Sequence, residues 1–158
     1  MRMKFYLMWV LVIVILVSGC GTGNVETQNG LQSTEESHTE TDKWDAYITS
    51  IKSQSDDIKN SLENDELTQT DMNIKSEELN KLWDDALNYL WGELKNSLSE
   101  GEFSKLLEEQ RIWIAEKEKS VEEAGKEFKG GSIYPLVVNI EAAKITEERV
   151  HEFIELLR

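Results

Sequence analysis

Apolar residues recur at steps of three, four and seven along four stretches of this sequence, and no stretch alternates convincingly with period two. That pattern restricts the chain to helices. Trp44, Ile48, Ile51, Ile58 and Leu62 form the first stripe, on a helix from about Trp44 to Glu63, with Ser55 interrupting it. After a break at "NDELTQTD", Met72, Leu79, Trp83, Ala86, Leu90 and Leu94 line a longer helix ending near Leu98, and Gly101 marks the turn after it. The third stripe runs from Phe103 through Leu106, Leu107, Trp113, Ile114, Val121 and Ala124 to Phe128, with polar Gln110 and Lys117 inside it. It stops at "KGGS", where Gly130 and Gly131 suit a helix end and Ser132 is placed to cap the next helix. Pro135 falls in the first turn of that helix, where a missing N–H costs little. Ile133, Leu136, Val137, Ile140, Ala143, Val150, Phe153, Ile154 and Leu157 form its apolar side. The expected fold is all-α: a small antiparallel bundle of three to four helices, with the Trp44 helix packed on the other three or swinging free.

A different kind of segment precedes the helices. Arg2 and Lys4 lead into an uncharged run of thirteen residues, Phe5 to Val17, followed by the small pair Ser18 and Gly19. This is the three-part pattern of a signal peptide, over residues 1–19. Spanning a bilayer takes about 20 apolar residues, so a permanent transmembrane helix is the weaker reading. Val17-Ser18-Gly19-Cys20 resembles the lipobox of bacterial lipoproteins, which implies cleavage before Cys20 and a lipid on its thiol. Residues 21–42 hold two isolated aliphatics, Val25 and Leu31, among Gly, Ser, Thr, Gln, Asn and Glu. Such a segment buries too little apolar surface to offset its ordering entropy. Residues 20–42 are expected to form a lipidated cysteine and disordered polar tether, with a reach on the order of 25 Å. Localisation on the extracytoplasmic face of a cell membrane follows from this reading.

The charge balance narrows the partners. Removing Arg2 and Lys4 from 17 basic residues leaves 15 against 31 acids, a formal charge of -16 for the mature chain. Nucleic-acid binding is disfavoured, because phosphate recognition rests on basic patches. A cationic protein partner, or simple solubility, is favoured. Cys20 is the only cysteine, and the two histidines, His38 and His151, lie far apart in sequence. Metal and Cys/His catalytic constellations, cofactors included, are not expected. Adjacent acids such as Asp84-Asp85 and Glu147-Glu148 invite comparison with a two-carboxylate glycosidase. Neighbours on a helix point about 100° apart, so they read as a solvated face. No phosphate loop or serine elbow is present, and nothing in the sequence speaks for an enzyme.

Gln110 and Lys117 are the informative polar residues, each within about one turn of Trp113 on the side expected to face the core. A buried amide or ammonium must find a partner. Gln110, Arg111, Trp113 and Lys117 are therefore either a binding epitope or a cluster that fixes helix register. We read them as the latter, with Trp113 buried, since groups of this kind specify packing.

The order of several short motifs resembles the lysozyme inhibitor LprI-like N-terminal domain family. The resemblance covers about Gln69 to Leu157. "QTDMN", including Asn73, matches the family's opening; Asp84 with Leu87-Asn88 and Trp91 matches its Asp-x-x-Leu-Asn-x-x-Tyr helix, with Trp for Tyr. "QRIW" from Gln110 through Arg111 to Trp113, then Lys117-Glu118, matches its Gln-Arg-x-Trp and Arg-Asp elements. "GGSIYP", with Gly130 and Gly131, and "TEER", with Thr146 and Arg149, complete the order. The resemblance implies a helical domain over residues 69–158, preceded by an extra helix and linker over 43–68. It also implies that the motif residues are structural, and it carries over no set of inhibitory residues. Many members have a cysteine pair in the later helices, where this chain has Val121 and Glu141. Two functions follow as expectations: a membrane-anchored module that binds and inhibits a lysozyme-type cell-wall hydrolase, or an envelope scaffold or stress lipoprotein with another protein partner.

Overall fold

A computed structural model describes residues 32–158, with side chains from Asp42 onward. Cys20, the expected signal peptide and the first part of the expected tether lie outside the described residues. Four helices account for the fold: α1 (Gln32–Asn64), α2 (Gln69–Ser97), α3 (Glu100–Gly125) and α4 (Tyr134–Leu157), with a 3₁₀ turn at Lys126–Phe128. The described residues contain no strand. The all-α expectation holds.

Local chemistry sets the boundaries. Thr68 caps α2 by accepting the Asp71 N–H at 3.2 Å, while the Asp71 carboxylate accepts the Thr68 N–H at 3.2 Å. Ser99 and Glu102 repeat this capping box at the start of α3. The turn between α2 and α3 is therefore Leu98–Ser99, and Gly101 sits inside the first turn of α3 rather than between helices. Between α3 and α4, Gly130 takes φ 82°, a left-handed conformation that glycine adopts without a Cβ penalty. Pro135 falls in the first turn of α4 as expected. Ser132 does not cap that helix. Ile133 occupies the N-cap with no side-chain bond, and the Ser132 carbonyl instead accepts the Asn73 Nδ2–H at 2.9 Å.

The first helix begins at Gln32, well ahead of Trp44, so residues 32–42 continue a helix where a tether was expected. Once Trp44 and Ile48 are anchored, each added residue gains a backbone bond without a new nucleation cost, and Glu35, Glu36 and Glu40 tolerate it well. Its packing also answers whether the helix is docked. Trp44 and Ile48 are buried in the common core, and buried Ser55 accepts the Trp83 indole N–H at 3.1 Å.

The bundle is centred on α2 and α4, which pack along most of their length. Asn73 meets Ser132, Asn139 donates to Ser76 at 3.3 Å, and the Trp91 and Phe153 rings lie 5.8 Å apart. Positions advance together along both helices, so α2 and α4 run parallel. Leu79, Trp83, Leu90, Leu94, Val150, Phe153 and Ile154 fill this seam. Helices α1 and α3 flank it and run antiparallel to it, as Lys43–Glu93 with Ser55–Trp83 and Gln110–Arg149 with Gly125–Val138 show.

Candidate functional site

The third helix is held differently from the others. It lies mainly on α4, and long side chains rather than close backbone approach bridge it to α2. The Trp91 and Phe103 rings meet 4.9 Å apart near the Leu98–Ser99 turn. Farther along, α2 and α3 leave a groove between them with Ala142 of α4 at its base. One section of about 360 Å³ is lined by Asn80, Asp84, Gln110, Trp113 and Lys117 among others. A second section of about 250 Å³ continues past Asn88 and Gln110 to Trp91, Leu107 and Arg111. Only Leu106 and Gly125 of α3 are fully buried.

Five of the motif residues singled out in the sequence thus converge on one feature, and Arg111 stands at its far end. Trp113 lines this groove and packs against the edge of the core, so the expectation that it is buried is corrected to half-buried. Ile112 and Ile114 are exposed, at 61% and 44%. The reason is visible in the stripe itself, because Gln110 and Lys117 would leave costly unpaired groups if α3 sat deeper. Gln110 instead accepts the Arg149 Nε–H at 3.0 Å, tying α3 to α4. Arg149 stacks 4.8 Å from the Phe153 ring and 6.0 Å from the Trp113 ring, and ion-pairs with Glu152 at 2.6 Å. Gln110 and Trp113 thus meet α4 through the same arginine.

The groove's electrostatics turn on Lys117. Its ammonium lies 5.3 Å from the Trp113 ring centre and 3.9 Å from Asp84 Oδ1, with the side chain 19% exposed. Burial pushes the Lys117 pKa down, and the nearby Asp84 carboxylate offsets this only in part. Asp84 Oδ2 accepts the Asn88 Nδ2–H at 3.2 Å. Asn80 Oδ1 is buried and accepts no hydrogen bond from the described residues. Arg111 faces solvent and pairs with Glu108 at 2.5 Å.

The remaining motif residues hold the scaffold together. Asn73 accepts from Gln69 at 3.0 Å and donates to the Ser132 carbonyl, clamping the start of α2 to the link before α4. Gly131 donates its N–H to the Phe128 carbonyl at 2.9 Å, beside Gly130. Buried Thr146 donates to the Ala142 carbonyl at 2.7 Å. Gly125 escaped sequence reading, although a Cβ there would lie 2.6 Å from Val138 Cγ1 and 2.7 Å from Tyr134 Cε2. Its need for a bare α-carbon comes from α4 rather than from any local pattern. The N-cap hydrogen bonds from Thr68 and Ser99 hold Asp71 and Glu102 below the ordinary carboxylate pKa.

No group of three or more His, Cys, Asp or Glu among the described residues is arranged to hold a metal ion. The adjacent acids diverge as helix geometry requires: Asp84 faces Lys117, whereas Asp85 pairs with Lys81 at 2.5 Å. The groove can bind, through an aromatic face, amides and one carboxylate. No curated protein and no solved structure matches the chain. The family model described as lysozyme inhibitor LprI matches residues 60–153, which include all of α2, the groove and most of α4. The chain belongs to the lysozyme inhibitor LprI family.

Proposed function

We infer that this chain is a lipid-anchored extracytoplasmic binding module that engages and blocks a lysozyme-type cell-wall hydrolase. The observation that carries the reading is the α2–α3 groove, where Asp84, Asn88, Gln110, Trp113 and Lys117 meet in a chain of this family. Family membership supports a muramidase as the partner. Charge supports it too: residues 43–158 hold 26 acids and 15 bases, a net charge of -11, which speeds encounter with a basic enzyme.

Attraction alone is not inhibition. With a Debye length of about 8 Å at physiological ionic strength, a purely electrostatic complex largely dissolves, whereas a fitted one survives. Muramidase activity on cell walls is therefore measured at about 0.15 M salt with this protein or an unrelated acidic helical protein added. Inhibition by this protein alone is expected. Equal inhibition by both, or none by either, overturns the reading and leaves the envelope scaffold in its place.

The anchoring part of the proposal rests on Cys20 and the lipobox-like Val17-Ser18-Gly19 before it. Two or three acyl chains, each contributing about 0.8 kcal/mol per buried methylene, hold a protein far more firmly than one. Cys20→Ala is expected to leave an unprocessed precursor or release the protein from the membrane fraction. Wild-type protein found unacylated in the medium would count against anchoring.

A further inference from the structure

The polar atoms of the groove define what fits it. Asn80 and Asp84 lie four residues apart on α2, which places them one turn above another on the same face. Asn80 leaves one acceptor without a donor, and Asp84, whose side chain is 52% exposed, keeps one carboxylate oxygen free of a protein hydrogen bond. Asn80 Oδ1 is buried with no donor, and the nearest cation to Asp84 Oδ1 is Lys117, at a distance too long for a hydrogen bond. Across from them on α3 stands the half-buried Trp113 ring, a platform on which a flat cation can stack.

Lys117 already puts a positive charge there, and it fits poorly. Its ammonium is a compact, strongly hydrated point charge, and burial costs it hydration with no hydrogen bond to Asp84 in return. A guanidinium presents several N–H donors in one plane, so it can serve two acceptors a helical turn apart while lying against an indole. Lys117 has a flexible stem that lets its charge swing outward into water when another cation enters. An anionic guest is disfavoured, since it would meet the Asp84 carboxylate and the Asn80 amide oxygen.

The geometry points to the Asn80–Asp84–Trp113 section of the groove as a socket for an arginine side chain of the basic protein partner, with Lys117 as a built-in competitor that the arginine displaces. This rests on the reading of the chain as a partner-binding module and names the part of the partner it recognises. From Asn80 to Trp91 the groove follows eleven residues of α2, roughly 16 Å at 1.5 Å per residue, long enough to hold residues flanking the arginine against Leu107 and Trp91.

The test uses the full chain in non-ionic detergent, with acetylated tri-arginine and tri-lysine amides as probes and a chito-oligosaccharide as a third. Binding is followed by NMR at the Asn80 side-chain amide and the Trp113 indole. The tri-arginine probe is expected to shift both signals and to bind several-fold more tightly than tri-lysine. Asp84→Asn is expected to weaken it about tenfold, the scale of one charge-assisted hydrogen bond. Lys117→Met is expected to strengthen it several-fold, because the competitor is gone. The sign of that last change carries the test even if Asp84→Asn perturbs folding. Weaker tri-arginine binding in Lys117→Met overturns the proposal, as does a groove that responds to the oligosaccharide and not to tri-arginine. The muramidase assay separates the two claims. Tri-arginine binding without muramidase inhibition leaves the socket standing and removes the muramidase, whereas equal inhibition by wild type and Asp84→Asn removes the socket and keeps the muramidase.

Discussion

The α2–α4 seam and the α3 flank are built from helices of similar length, yet they are packed differently. In the seam, Trp83, Leu90, Val150 and Phe153 are wholly buried, and the buried hydroxyls of Ser55, Ser76 and Thr146 are each bonded, although the buried Trp44 indole N–H and Arg149 Nη2 find no partner among the described residues. Ser55 receives the Trp83 N–H, Ser76 donates to the Asn73 carbonyl at 2.8 Å, and Thr146 bonds back to Ala142. On the α3 flank, Trp113 is half-buried, Ile112 and Ile114 face water, and Lys117 holds a charge in partial burial with its counter-ion Asp84 3.9 Å away, too far for a hydrogen bond. Two polar residues in an apolar stripe make the difference. They keep α3 from closing on α2, and the unclosed space is the groove. Burial is concentrated in one region, and the other leaves open the space that the proposed recognition would use.

The comparison breaks most visibly at the paired tryptophans. Trp83→Ala is expected to cost about 3 to 5 kcal/mol in denaturant unfolding, the range for removing a buried aromatic. Its partner change, Ser55→Ala, is expected to cost about 1 to 3 kcal/mol, because a buried indole N–H loses its acceptor. If Ser55→Ala is silent, the indole finds another acceptor and α1 contributes less than its packing suggests.

A smaller loss is expected on the flank. Trp113→Ala should cost about 1 to 2 kcal/mol, since its ring is only half withdrawn from water. The same change should weaken partner binding well beyond that effect on folding. A loss as large as that of Trp83→Ala would mean that α3 belongs to the core and that the two regions are one.

The smallest effect is electrostatic, and its sign is definite. The folded-state pKa of Lys117 is lowered, so above that value the unfolded chain binds a proton that the folded chain has released. The penalty of burying the charge is present at neutral pH and fades as pH rises through the lowered value toward 10.5, the ordinary value for lysine. Lys117→Met is therefore expected to be more stable than wild type at neutral pH, with the gap narrowing toward alkaline pH in parallel thermal melts. A constant gap would assign the effect to packing instead of charge.

Much of this architecture is legible in the residue order, for reasons that differ between its parts. The four stripes reveal the helices because burial imposes the 3.6-residue period wherever a helix has a covered face. Gly130 and Pro135 mark the α3–α4 link by their own backbone preferences. Ser55 reads as an interruption, since its partner Trp83 is 28 residues away and only packing brings the two together. Gly125 is silent for the same reason. Ser132 resembles a cap by type, yet its carbonyl is what Asn73 uses. At the groove, the sequence names several residues that line it and misjudges the depth of Trp113. Gln110 and Lys117 carried the signal that α3 stays partly open, but polar residues in a stripe are equally compatible with a satisfied buried cluster.

The parallel arrangement of α2 and α4 has a kinetic consequence. Contacts such as Asn73–Ser132 and Ser76–Asn139 join residues 59 and 63 positions apart, so the seam closes only after a loop containing all of α3 has been formed. A floppy loop of that size would make the search slow, as it does wherever pairing is remote in sequence. A preformed α3 of 26 residues, about 39 Å long at 1.5 Å per residue, carries the chain back to the level where α2 began. If α3 forms before the seam closes, the helix with the fewest buried side chains sets how quickly the chain folds, and its capping box at Ser99 and Glu102 is expected to quicken folding.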